Sequence, residues 1–382
     1  MNVDAATPGP TNPYHIARAY ASGPLKPVAP VPPVSRVVGN TPAATLSARS
    51  VQAGSVTPSI ANAIEISAGP QGMPMEEGAE LRIGADGSAT LLLGTHNHGQ
   101  GHETAFRQIL AERLGLAPER MRILFGDTDS LPYGRGTFGS RSIVAGGTAT
   151  LAAVARVIEK GKRLAAHMLE ASPADIEYAP GRFSIAGTDR AVTLAQVARA
   201  AYAPGQRPKE EDIGLAAQAA VAPGDATFPN GCHICEVEVD PETGAVALDR
   251  YVVVDDVGTV VNPLLLKGQI HGGVAMGAAQ ALHEVMRYDD GGQMVSATFM
   301  DYAIPRADDL PMIGVLSNPQ PTPSNPLGAK GAGEAGTVGA LPAVISAVCD
   351  AMGVRHLDMP ATPERVWRAL HSSSTTTSPK PS

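Results

Sequence analysis

The sequence predicts an α+β fold, with β-hairpins and mixed sheets packed by helices and arranged as two related subdomains. Three observations carry that expectation. Strand-length apolar runs pair across tight turn signals, and helix-length stretches with a helical apolar period lie between them. The order of hairpin, glycine-rich junction and helix occurs twice. The 382 residues are 43% hydrophobic but only 4% aromatic, so a sizeable core must be built from Ala, Val, Leu and Ile.

Ala79–Ile83 and Ala89–Leu93 flank Asp86-Gly87, a hairpin turn signal. Helical patterns follow at Glu103–Leu114 and Ile143–Glu170. A short hairpin is expected over Ile176–Ile185, with its turn near Pro180-Gly181. Thr193–Tyr202 reads as a helix with Thr193 as its N-cap. Cys235–Val239 and Ala245–Val254 form a second hairpin across Asp240-Pro-Glu-Thr-Gly244. Ile270–Met286 reads as a helix rich in small residues and Val295–Ile304 as a strand. Pro342 suits the start of a helix over Ala343–Met352, and Thr362-Pro363-Glu364 starts a last helix ending near Leu370.

The ends differ from the middle. Residues 1–68, rich in Pro and Ala, and the polar tail 371–382 are expected to be mostly disordered. Organised sequence runs from 69 to 370, with a subdomain boundary near 205–230. A net charge of −8 argues against nucleic-acid binding. No unbroken apolar run reaches the ~20 residues of a membrane span, and no secretory signal is visible. The three cysteines form no disulfide framework, which makes a cytoplasmic, reducing compartment the expectation.

Chemistry concentrates where glycine-rich loops open onto helices. Gly328 to Gly339 carries Glu334 among Gly331, Gly333 and Gly336. A carboxylate held there reads as a base presented to a ligand, and the rival reading is a tight strand-to-helix turn. Gly94 to Ala105 contains Gly99, Gln100, Gly101 and His102; its histidines fit no zinc pattern, and an amide that both donates and accepts suits the edge of a heterocycle. Tyr133 to Ile143 brings Thr137, Gly139, Ser140, Arg141 and Ser142 to a helix start, where hydroxyls, a guanidinium and free N–H groups can hold an anion. Gly268 to Glu284 is the fourth such segment. Cys232-His-Ile-Cys235 lies along a strand, where alternation puts the two thiols on opposite faces. Asp255-Asp256 reads as a polar strand end.

Gly94–Thr104, Thr137–Ser142, Gln269–Leu282, Thr298–Arg306 and Lys330–Gly336 together resemble the large subunit of molybdenum hydroxylases, the family of xanthine dehydrogenase, aldehyde oxidoreductase and aerobic carbon monoxide dehydrogenase. The resemblance covers about residues 70–370, in family order, and corresponds to the second molybdopterin-binding part at the C-terminal end of that subunit. It implies a molybdenum–molybdopterin cofactor, in its cytosine dinucleotide form. Glu334 aligns with the family's catalytic glutamate, the base that activates a molybdenum-bound hydroxyl for attack on an aldehyde or heteroaromatic carbon. Gly99, Gln100, Gly101, His102, Thr137, Gly139, Ser140, Arg141, Ser142, Gly331 and Gly333 fall in the cofactor-contacting loops.

The resemblance further implies an iron–sulfur (2Fe-2S) small subunit and an FAD subunit as partners. Two departures stand out. Met276-Gly277 replaces the family's Gln-Gly, and a thioether cannot supply an amide's hydrogen bonds. No counterpart of the first molybdopterin-binding half is present, so activity is expected only when another chain supplies it. The alternative is a non-catalytic remnant or assembly module that keeps the fold.

Overall fold

The computed structural model describes residues 58–68, 75–131 and 133–372. The expectations for residues 1–57 and for the tail from 373 lie outside these. Among the described residues the chain runs β1 (Ser59–Ile64), β2 (Glu77–Ile83), β3 (Ala89–Leu93), α1 (His102–Leu114), β4 (Met121–Phe125), α2 (Gly147–Leu169), β5 (Ile176–Ala179), β6 (Arg182–Ile185), β7 (Ala191–Thr193), α3 (Leu194–Tyr202), β8 (Leu215–Val221), β9 (Asn230–Val239), β10 (Val246–Asp256), α4 (Pro263–Leu282), β11 (Gly314–Ser317), α5 (Ala335–Met352) and α6 (Pro363–Ser372).

Two four-stranded sheets follow one plan. In the first, β2 and β3 form the hairpin across Asp86-Gly87, α1 crosses over, β4 returns parallel to β3, and β8 pairs antiparallel to β2. In the second, β9 and β10 form the hairpin, α4 crosses over, β11 returns parallel to β10, and β1 pairs antiparallel to β9. The orders are β4-β3-β2-β8 and β1-β9-β10-β11, with β5-β6-β7 as a separate small sheet. Each large sheet is covered by a long apolar helix, α2 on β2 and β8, α5 on β9 and β1. One core gathers Leu81, Leu91, Phe106, Val157 and Leu164 around the first sheet; the other gathers Tyr251, Val253, Val274, Val344 and Val348 around the second.

The two sheets exchange strands. β1 comes before the first hairpin in the chain yet completes the second sheet, and the crossing segments meet at an antiparallel bridge between Ser67 and Thr227. The strand over Ser59–Ile64 therefore corrects the expectation that residues up to 68 lack structure. Its proline-rich surroundings conceal a short alternation that turns Ala61 and Ala63 inward and leaves Ile60 and Ile64 exposed.

Three further expectations are corrected. Val295–Ile304 is no strand: the Thr298 carbonyl accepts from the Asp301 and Tyr302 N–H groups at 3.0 and 2.8 Å, and its hydroxyl donates to Asp301 at 2.8 Å, so a local turn takes the backbone groups that a strand partner would need. α4 starts at Pro263 rather than near 270, because Asn262 caps it by accepting from the Leu265 N–H at 3.0 Å and proline fits the first turn. α5 begins immediately after Glu334, which leaves Pro342 inside the helix and costs one internal hydrogen bond. The winding that opens at Ser142 and continues through α2, and likewise α5, are long and apolar enough to cross a membrane by length and composition, but about half of each is buried within this fold.

Candidate active site

The loops after β3, before α2 and before α5 converge. Thr137 Oγ1 donates to the His96 carbonyl at 2.6 Å, accepts from the His96 N–H at 3.0 Å, and lies 2.8 Å from Ser142 Oγ. Ser140 Oγ donates to Glu334 Oε2 at 2.9 Å and accepts from the Glu334 N–H at 3.0 Å. Gln269 Nε2 on α4 reaches the Gly333 carbonyl at 3.4 Å. The approach is close enough to dictate residue type, since a Cβ on Gly331 would lie 2.2 Å from the Ser140 carbonyl oxygen. Ser140 itself has φ +51°, a left-handed conformation that a non-glycine residue adopts at a cost on the order of 1–3 kcal/mol. The pair of hydrogen bonds to Glu334 holds it there.

The sequence-predicted residues therefore meet, but not all point the same way. Glu334 is exposed at the N-cap of α5, as is Gly333 next to it, and Gly99 is exposed in its own loop. Gln100 is turned onto its own loop, its Oε1 accepting from the His98 N–H at 2.5 Å. His102 packs against Phe106 and Phe125, with ring centroids at 5.9 and 6.2 Å. Burial, helped by His98 and His96, lowers its pKa to about 4, which keeps the ring neutral.

Arg141 corrects the expectation of an anion-binding guanidinium. Its side chain is fully buried, paired with Glu77, and donates to the carbonyls of Gly136 at 2.8 Å and Glu76 at 3.0 Å. It braces the loop from beneath and offers nothing to a ligand.

Asp256 is more than a polar strand end. It pairs with Lys330 and accepts from the N–H groups of Gly258 and Gln320, both at 2.9 Å. Burial alone would raise its carboxyl, but these partners outweigh burial and hold it below the usual range. The glutamate loop is thus anchored at Lys330. At Gly331 it is tied again, the N–H donating to Ser67 Oγ at 3.1 Å. Cys235 is buried, its thiol pushed up to about 12 by desolvation, and Cys232 lies half-buried on the same strand.

Three helical segments, α1, the π-helical turn Ser142–Gly146 that leads into α2, and α5, open at these loops, and no side chain caps any of them. A helix start without a side-chain cap is a place where an anion is favoured. Gly99, Gly136 and Gly139 have open space where a side chain would project. Uncapped helix starts beside bare backbone and a lone carboxylate suit one flank of an extended polyanionic cofactor.

Residues 46–311 match the family of molybdopterin cofactor-binding domains. The chain belongs to the molybdenum hydroxylase large-subunit family. It is 40% identical over 303 residues to the carbon monoxide dehydrogenase large chain of Hydrogenophaga pseudoflava, covering 78% of this chain and 38% of that protein. It is similar to the solved Cu,Mo-CO dehydrogenase, with a TM-score of 0.76, 35% identity, and 84% of this chain matched to 42% of that one. It is likewise similar to quinoline 2-oxidoreductase from Pseudomonas putida 86, with a TM-score of 0.74, 35% identity, and 82% of this chain matched to 42% of that one. The chain thus spans about two fifths of the length of these relatives. The α+β architecture is that of the family.

Sequence reasoning missed three buried acidic groups behind these loops: Glu77, Asp256 and Glu65, which lies against Ala335 and Val338 at the start of α5. Glu65 lay in a stretch read as unstructured. Glu77 follows Glu76 at a strand start and Asp256 follows Asp255 at a strand end, where an acidic pair reads as polar and carries no signal of burial.

Proposed function

We propose that this chain is the second molybdopterin-binding part of a molybdenum hydroxylase, with Glu334 as general base toward an aldehyde or N-heteroaromatic substrate. The observation that supports it is the exposed Glu334 carboxylate, held by Ser140 at 2.9 Å among three uncapped helix starts. The molybdenum–molybdopterin cofactor, in its cytosine dinucleotide form, supplies the oxygen-transfer and redox chemistry when bound. Gly99, Gly101, Thr137, Gly139, Ser142 and Gly333 would line its phosphates and pterin edge, with Gly331 setting the close approach of the loops behind them. The hydroxyl and N–H of Ser140 and Glu334 fix the carboxylate so that one oxygen can accept a proton from the attacking group.

A first molybdopterin-binding half, from outside these 382 residues, completes the other flank. Electrons leave through a 2Fe-2S small subunit and an FAD subunit, in a cytoplasmic assembly. The relatives that support this are named as large chains of such dehydrogenases and hydroxylases.

The test is co-expression with a first-half domain and the two partner subunits, followed by metal analysis and turnover of aldehydes and N-heterocycles. Glu334→Gln keeps the acceptor for Ser140 but cannot take the proton. Molybdenum content should stay near wild type while turnover falls at least 100-fold, the lower end of a typical general-base contribution of roughly 10²–10⁴. Turnover within a few-fold of wild type would remove Glu334 from the role.

A further inference from the structure

Beneath Glu334 lies a further group of buried polar atoms. Glu65 follows β1 and is 8% exposed, with its backbone N–H fixed to the Pro229 carbonyl at 2.9 Å. It lines a crevice with Asp255, Asn230, Ala335 and Val338, against the first turn of α5. His233 Nε2 lies 3.7 Å from Asp255 Oδ1, and His233 Nδ1 lies 2.9 Å from the Tyr251 hydroxyl.

Both oxygens of Glu65, Asp255 Oδ2 and His233 Nε2 lack a hydrogen-bond partner, four of the eight such buried side-chain atoms among the described residues. Buried polar atoms are nearly always paired, so a cluster of orphans needs an explanation. Here it lies directly under the proposed base.

The charged groups acting on Glu65 are all acidic: Glu334 from the loop before α5 and Asp255 from β10. The Ser140 hydroxyl also faces it and favours its ionised form, although neither Glu65 oxygen completes a hydrogen bond of good geometry. Ser140 Oγ is bonded to Glu334 at 2.9 Å, and both Ser140 and the Glu334 carboxyl act on Glu65.

We propose that Glu65 is the proton relay for Glu334, the two carboxyls exchanging one mobile proton through the Ser140 hydroxyl. The proposal rests on the reading of Glu334 as base. Once Glu334 carries a proton it no longer needs the serine O–H. The Glu334 O–H bond then breaks as a new Ser140 O–H forms, while the serine's original O–H breaks as the Glu65 O–H forms. No electron changes hands, and Glu334 is again a carboxylate.

A relay must accept and release at working pH. Burial first, and the neighbouring acidic groups second, push the Glu65 carboxyl up to about 7 against the one lowering contact from Ser140. Two interacting carboxyls titrate as a pair, so each should respond when the other is changed.

Infrared titration of the full chain reads this directly through the band of a protonated carboxyl. The band should have a midpoint near neutral pH and disappear in Glu65→Gln. The midpoint should fall in Glu334→Gln, which removes a like charge, and rise in Ser140→Ala, which removes the one favourable contact and keeps the Cβ. A structural carboxyl elsewhere would not respond in both directions. Absence of a neutral-pH band, or a midpoint indifferent to both variants, overturns the proposal. In the assembled enzyme, turnover surviving Glu334→Gln would remove the base, and the relay with it, while leaving the infrared shifts in place. Turnover lost in Glu334→Gln with no infrared shifts would remove Glu65 alone.

Discussion

Each half of the molecule buries a glutamate below the candidate site, and the two are treated in opposite ways. Glu77, at the start of β2, is fully buried and paired with Arg141, which also gathers the Gly136 and Glu76 carbonyls. Glu65, after β1, is nearly as buried, and the groups acting on its charge are Glu334, Asp255 and a hydroxyl. A buried carboxylate with a guanidinium in contact is a brace, because removing either partner strands the other as an unpaired charge. A buried carboxyl without a cation keeps its proton to higher pH and becomes a titrating part. Glu77–Arg141 makes the first half rigid beneath its loop, whereas the second half keeps proton mobility beneath its own.

The largest effect expected from breaking this contrast is in the first half. Arg141→Met leaves Glu77 buried and alone, and should cost about 3–5 kcal/mol in denaturant unfolding. Adding Glu77→Gln to it should recover much of that loss. If the double variant is no more stable than the single one, the pair is not what holds the loop.

Next comes the pH dependence of the second half. The folded-state pKa of Glu65, about 7, lies above its ordinary value of 4.5, so the folded chain binds the extra proton. Its contribution is fully present below pH 4.5 and is lost as pH rises through 7. Glu65→Gln should flatten that part of the stability profile between those pH values. An unchanged profile would mean that Glu65 does not titrate there.

A smaller effect sharpens the comparison at the glutamate loop. Asp256–Lys330 is a mostly buried pair in the second half, made like the brace in the first. Lys330→Met should cost about 2 kcal/mol, the scale of a charged hydrogen bond. Because Gly331 stays tied to Ser67 at 3.1 Å, the infrared midpoint of Glu65 should barely move. A large shift would show that Lys330 orders Glu334 as well as anchoring the loop.

The local elements were legible because local rules write them. Asp86-Gly87 marks the first hairpin, and Thr193 caps α3 by accepting from the Gln196 N–H at 3.2 Å, in a reciprocal capping box. Glu334 and Ser140 were each visible as polar residues in glycine-rich helix starts, and they do meet. What stayed hidden depends on partners far along the chain. Arg141 beside a helix start reads as an anion ligand until Glu77 is known to lie under it. Glu65 has no periodicity to announce it, and its burial follows from β1 joining a sheet whose other strands begin at residue 230. Register between distant segments leaves no mark on either segment alone.

The strand exchange at Ser67 and Thr227 fixes when the site can exist. Ser67 and Gly331 are 264 residues apart, and Ser140 and Glu334 are 194 apart, so both hydrogen bonds close very long loops. A nascent chain can fold the hairpin and helices of its first half while the remainder is still being made. It cannot hold the glutamate loop until α5 has left the ribosome and β1, made first, has waited for β9. Readiness to take up a cofactor is therefore among the last properties each newly made molecule acquires, and it marks a chain that has been synthesised through α5 and folded.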